Sequence, residues 1–233
     1  MNIKKRFWTE VAVIEVEGGY EVTLDGRQVK TPAKASLIFP TRKIAELVAK
    51  EWDAQEEEIN PDQMPATRLS NSVIDKVSVN QGAIVDMLAE YGGSDLLCYR
   101  ATGPEELIKR QAHAWDPILE WANCIYGSLS ITEGVMHIDQ PEKTLRNFKL
   151  ELGKFSAWEL AAMHELITIS GSLVLAFAVA RDHISSTQAW DLSRIDEDWQ
   201  KEKWGGDEEA EGIAFKKAEA LKFAAKFLNF VKC

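Results

Sequence analysis

The sequence predicts an α+β protein: a small antiparallel β-rich N-terminal domain with one helix over residues 1–65, then a larger all-helical C-terminal domain over residues 66–233. Three observations predict it. Apolar residues alternate with period two between Val11 and Leu24, interrupted by the turn signals Gly18-Gly19 and Asp25-Gly26. From Thr67 onward every strong periodicity is helical. Between the two lies a polar stretch, Glu56 to Pro65, that carries two prolines and reads as a connector.

Taken in order, Val11, Val13 and Glu15 alternate with Ala12, Ile14 and Val16, and Tyr20, Val22 and Leu24 continue the pattern after the first turn. Arg27 to Lys30 is a third short strand stopped at Thr31-Pro32, with a further one around Leu37 to Phe39. Such a meander needs an apolar layer to lie against. Thr41 is a good N-cap for a helix whose apolar stripe is Ile44, Leu47, Val48 and Trp52. Ile74, Val77, Ile84, Val85, Leu88 and Ala89 indicate one or two helices closed by Gly92-Gly93. Proline at a helix interior removes a hydrogen bond, so Pro117 is expected to split Glu105–Tyr126, with Asp116 capping the second part. Further helices are expected near Trp158 to Arg181, Thr187 to Trp204 and Asp207 to Val231.

Composition narrows the function. A net charge of -10 repels phosphate backbones and anionic lipid, which argues against nucleic acid and membrane surfaces as partners. The most apolar run, Leu166 to Ala180, is shorter than the ~20 residues a span needs and reads as one buried central helix. Cys98, Cys124 and Cys233 form no CxxC pair and no disulfide framework, which points to a reducing compartment. The basic start Lys4-Lys5-Arg6 has no apolar stretch behind it, so no export signal is read there. These features together predict a cytoplasmic, monomeric protein.

Catalytic patterns are weak. His164-Glu165 begins like a zinc-binding helix, but Thr168 stands where the second histidine belongs. Cys98 is flanked by apolar groups and reads as an inert core thiol. Asp116 and Glu120 lie one helical turn apart, as paired carboxylates would, but capping already accounts for Asp116. No phosphate loop or dinucleotide fingerprint is present, and neither a metal nor a cofactor is expected. Binding is therefore the default reading, against two alternatives: a small-molecule enzyme with an acidic interdomain cleft, and a scaffold protein.

The strongest candidate surface is Asp191 to Glu211, which holds nine acids and three bases; the difference of minus six is over half the net charge. At about 100° per residue, Leu192, Ile195 and Trp199 form a buried stripe. Glu197 then points away from the core with Asp196 and Asp198 on its flanks, and Trp204 projects on the same outward side before Gly205-Gly206. Tryptophan is enriched at binding hot spots, and this chain has eight.

Seven blocks occur in a recognisable order: Arg6-Phe7-Trp8; Leu24-Asp25-Gly26-Arg27 with Lys30-Thr31-Pro32; Glu51-Trp52-Asp53-Ala54-Gln55; Met64-Pro65-Ala66-Thr67-Arg68-Leu69; Asp95-Leu96-Leu97-Cys98-Tyr99-Arg100; Gln111 with Trp115-Asp116-Pro117; and Ser193-Arg194-Ile195-Asp196-Glu197-Asp198-Trp199-Gln200 with Lys203-Trp204-Gly205. Together they resemble the Atp-twelve family of assembly chaperones for the catalytic head of F-type ATP synthase. The resemblance implies a non-enzyme without a cofactor that binds the free α subunit until it pairs with β. It also implies functionally sensitive positions in two blocks, Glu51, Trp52 and Asp53, and Asp196, Glu197 and Asp198. Trp52 lies on the expected core stripe as well, so both a structural and a contact role stay open for it. For a member from a mitochondrion, the resemblance would place the chain in the matrix after loss of a presequence.

Overall fold

The computed structural model describes residues 5–232; Met1–Lys4, part of the basic start, and Cys233 lie outside them. An antiparallel three-stranded sheet at the N-terminal end is followed by a mostly helical remainder, as the periodicities predict. The chain divides into two compact units. One comprises the described residues of Met1–Gln81, Ala157–Ala162 and Lys226–Cys233, the other Gly82–Ser156 and Met163–Ala225.

In the first unit, β1 (Val11–Val16), β2 (Gly19–Leu24) and β3 (Arg27–Gln28) are joined in that order, with Val11 opposite Leu24 and Val13 opposite Val22. Asp25-Gly26 makes the second turn with positive φ at both residues, and the Asp25 carboxylate accepts from the Thr9 and Glu10 amides at 3.0 and 2.9 Å. The third strand is shorter than expected, and its continuation is reduced to single bridges, Lys30 with Ser36 and Tyr20 with Phe39. Helix α1 (Arg42–Asp53) begins where the Thr41 hydroxyl accepts from the Ile44 amide. It packs Ile44, Ala45 and Val48 against β1 and β2. Helix α2 (Pro65–Ser72) lies against α1. Trp158, Leu160, Ala161, Phe227 and Leu228 return from later in the chain; Trp158 packs against Phe39 and Phe227 at centroid distances of 5.9 and 6.2 Å. Much of this core is therefore non-local.

The second unit holds α4 (Glu105–Tyr126), α5 (Glu142–Leu152), α7 (Leu173–Ala180), α8 (Ser186–Ser193), α9 (Ile195–Trp204), and most of α3 (Gln81–Glu90), α6 (Ala157–Ser170) and α10 (Glu208–Val231). A short parallel pair, β4 (Tyr99–Arg100) with β5 (Thr132–Glu133), was not anticipated in the helical part. Every residue of α7 is buried, and Phe177 meets Tyr126 and Phe148 at centroid distances of 4.9 and 5.8 Å.

Three helical expectations are corrected. Helix α4 runs unbroken through Pro117. Pro117 and His113, whose carbonyl loses its partner, are both exposed, so water can satisfy the orphaned acceptor. Asp116 is consequently not a cap; its carboxylate accepts from Arg100 Nη2 at 2.8 Å. The apolar run Leu166 to Ala180 is two helices rather than one. Gly171 adopts φ +70°, which a glycine takes without strain, and the Ser172 hydroxyl restarts the chain by accepting from the Leu175 amide at 3.0 Å. Thr187 to Trp204 likewise divides, at Arg194, into α8 and α9.

Candidate partner-binding site

The acidic helix α9 rests on a lattice of buried polar and aromatic groups within the second unit. Asp95, wholly buried, accepts from the Leu97 and Val174 amides at 3.0 and 2.9 Å and from the Ser172 hydroxyl at 2.8 Å. It thereby fixes the turn that leads to Arg100. Burial pushes its carboxyl up to about 6, against the pull of those donors. Arg100, nearly buried, donates to the Leu97 carbonyl at 3.0 Å and to Asp116, and its guanidinium lies 5.2 Å from the Trp115 ring centroid. Trp115 Nε1 in turn donates to the Leu192 carbonyl at 2.8 Å, just ahead of α9.

Gln111 completes the connection. Its Oε1 accepts from the Ala101 amide at 2.8 Å, and its Nε2 donates to Asp196 at 2.6 Å. Two of the seven sequence blocks are thus parts of one support for the block that forms α9. This separates the three acids. Asp196 is half-buried and held by Gln111, a positioning role. Glu197 is exposed, with Arg194 Nη1 at 3.6 Å, and Asp198 sits 3.8 Å from Arg194 Nε; such loose pairs contribute little. Of the stripe expected to be buried, Ile195 and Trp199 lie beneath them, whereas Leu192 is half-buried and belongs to α8, ahead of the break at Arg194. Toward the end of α9, Lys203 lies 4.5 Å from the Trp199 ring centroid, and Arg110 pairs with both Glu202 carboxylate oxygens at 2.8 Å.

Trp204 is 79% exposed at the end of α9, and the chain turns at Gly205, whose φ of +90° favours glycine. Across the turn Lys201 pairs with Glu211 at 2.7 Å. Between α9 and the start of α10 lies an open groove of about 740 Å3, lined among others by Trp190, Glu197, Trp204 and Ala214. Ile213, 51% exposed, and Phe215, 68% exposed, also line it. The sequence reading did not single out these two. The available signal was their position among Glu208, Glu209 and Glu211 at the start of a helix whose burial begins only at Ala218.

Glu51, Trp52 and Asp53 belong to the first unit, on the last turn of α1. Glu51 accepts from the Ala66 amide at 2.6 Å and from the Thr67 amide and hydroxyl at 2.7 Å each. It caps α2, whose own N-cap Met64 makes no side-chain bond. Burial raises its carboxyl above the usual range despite these donors. Trp52 is half-buried and meets the buried Trp8 edge to face at 5.1 Å. Asp53 is exposed; its carbonyl accepts from Arg6 Nη1 at 2.9 Å and its carboxylate lies 3.7 Å from Arg6. Arg6 also donates to the Gln55 and Trp8 carbonyls, so the Arg6-Phe7-Trp8 and Glu51-to-Gln55 blocks are tied together.

The residues weighed for catalysis stay apart from these surfaces or do other work. Cys98 is buried and its thiol is pushed up to about 12, first by desolvation and then by Asp95, so it is a poor nucleophile. Cys124 is exposed. His164 has Glu165 at 3.5 Å, and among the described residues no group of three or more His, Cys, Asp or Glu side chains could hold a metal ion. Among the same residues no helix is long and apolar enough to cross a membrane.

A small sheet with a helical remainder carries an acidic helix set on buried polar contacts beside water-exposed aromatic side chains, the make-up of an interaction surface. Residues 5–123 match the family described as ATP12 chaperone protein. The chain belongs to the ATP12 chaperone family. The crystal structure of Atp12 from Paracoccus denitrificans is 42% identical and superposes with a TM-score of 0.93 over 97% of this chain and 98% of that one. Atu1473 from Agrobacterium tumefaciens is 41% identical with a TM-score of 0.91, covering 99% of this chain and 86% of that one. The protein atp12, mitochondrial, of Schizosaccharomyces pombe is 24% identical over 222 residues, 90% of this chain and 76% of the relative.

Proposed function

We propose that this chaperone of ATP synthase assembly binds the unassembled α subunit of the catalytic head and keeps it from aggregating until β arrives, without catalysis or a cofactor. The observation that carries the reading is the pairing of outward Glu197 with exposed Trp204 on one helix, held in place by buried polar contacts. An unassembled subunit exposes apolar surface meant for its neighbour, and such patches drive aggregation. Acidic groups steer a binder toward basic rims of that surface, and the aromatic side chain supplies buried area on contact. The place of action is wherever the head is assembled, the bacterial cytoplasm or the mitochondrial matrix.

Glu197→Lys is the direct test. Its lost contributions, a loose ion pair and an acid in the first turn of a helix, are small, so stability should fall by under about 1 kcal/mol. Capture of purified α subunit should weaken roughly tenfold, with the difference narrowing at high salt. Equal loss of folding and capture would remove α9 from the contact surface. Failure of the unmodified protein to keep purified α subunit soluble better than an unrelated acidic protein would end the reading altogether.

A further inference from the structure

The groove between α9 and α10 has features beyond a general acidic face. On α10, Ala210, Ala214 and Ala218 all line it at four-residue spacing, with Gly206 ahead of them. Residues four apart share a helix face, so the groove has a floor with little side-chain bulk where another backbone can come close. Three large apolar side chains, Trp204, Ile213 and Phe215, stand exposed around that floor. The rim carries Glu197, Asp198, Asp207 and Glu211. Three cations also line it, so the four acids exceed them by one: Arg194 faces Glu197 and Asp198, Lys201 faces Glu211, and Lys217 is exposed. The exposed Glu208 and Glu209 add further negative charge at the mouth. A small-residue floor alone would say nothing about an occupant; exposed aromatic walls and a negative rim specify one.

We propose that this groove takes a single amphipathic helix of the client, with its apolar stripe against Trp204, Ile213 and Phe215 and its arginine or lysine flank facing Glu197, Asp198 and Glu211. The proposal deepens the reading that the chain captures α subunit and rests on it. A helix fits better than an extended strand. Small residues at four-residue spacing offer a groove to side-chain ridges of the same spacing, whereas a strand needs an open sheet edge, and the groove is walled by helices.

Filling the floor tests it. Ala214→Trp should lower capture of purified α subunit at least tenfold while the thermal midpoint stays near that of the parent. Lys216→Trp, on the same exposed turn but absent from the groove lining, should capture normally. Phe215→Ser, which removes one wall without adding bulk, should weaken capture in the same direction. Equal capture by the Ala214→Trp variant and the parent, or equal loss in the Lys216→Trp variant, overturns the groove as the docking site and leaves the wider α-subunit reading intact.

A second arm decides the occupant. A fluorescein-labelled, 18-residue leucine–arginine peptide of amphipathic helical pattern should bind the parent at least tenfold more tightly, by anisotropy, than a scrambled peptide of the same composition. Ala214→Trp should abolish that difference. Equal binding of the two peptides overturns the helical occupant. If the parent fails to capture α subunit at all, the wider reading fails, and the peptide arm still decides the groove.

Discussion

Asp95→Ala is expected to lower stability by about 2–5 kcal/mol, measured by denaturant unfolding at pH 7.5. The Leu97 and Val174 amides and the Ser172 hydroxyl are buried, and an alanine methyl gives them no acceptor. Each orphaned buried donor costs about 1–3 kcal/mol, while relief of the buried charge returns part of that. The same carboxylate has a pH signature. Its folded pKa of about 6 lies above its unfolded value, so between about pH 4 and 6 the folded state keeps a proton that the unfolded chain has released. The Asp95 contribution is thus fully favourable below pH 4 and declines as pH rises through 6. In Asp95→Asn that dependence disappears. The wild-type minus Asn difference in unfolding free energy should therefore drift by about 3 kcal/mol across this window. A flat difference would mean that the donors hold the carboxyl at its ordinary value.

Glu51→Ala is expected to cost about 2–4 kcal/mol, and Glu51→Gln distinctly less, because the amide keeps one acceptor oxygen for the start of α2. Capture of α subunit, compared at a temperature where each variant is folded, should change little. This outcome would assign the sensitivity of the block to folding. A stable Glu51→Ala protein that fails to capture α subunit would instead make Glu51 a contact residue. The raised carboxyl of Glu51 agrees with a cap set in a half-buried place rather than a charge displayed to a partner.

Much of the fold could be read from local patterns. Alternation from Val11 to Leu24 and the turn at Asp25-Gly26 placed the sheet, since side-chain period and turn chemistry are local properties. Helix breaks were misplaced where local preference met tertiary context. Pro117 is tolerated because its face of α4 is wet, and Gly171, set between Ser170 and Ser172, ends a helix inside the apolar run. On the acidic face, the wheel correctly separated buried Ile195 and Trp199 from exposed Glu197 and Trp204. It could not show that Asp196 is tied to Gln111, 85 positions away, nor that Glu51 caps α2. Side chains that act across the fold leave no periodic trace. Ile213 and Phe215 were hidden for a related reason: an exposed apolar residue on a helix looks in sequence like a buried one.

The uneven burial of α10 has an energetic corollary. From Glu208 to Lys217 only Ala214 is even partly covered, whereas Ala218, Leu221, Ala224, Phe227 and Leu228 are buried. Peptide hydrogens in the first turns can therefore meet solvent through local fraying, while those in the last turns are released only by larger openings. The proposed groove is lined by the least anchored stretch of this helix, so a client bound there would put part of its binding free energy into stiffening it. Occupancy would then appear as slowed isotope exchange confined to the N-terminal half of one helix.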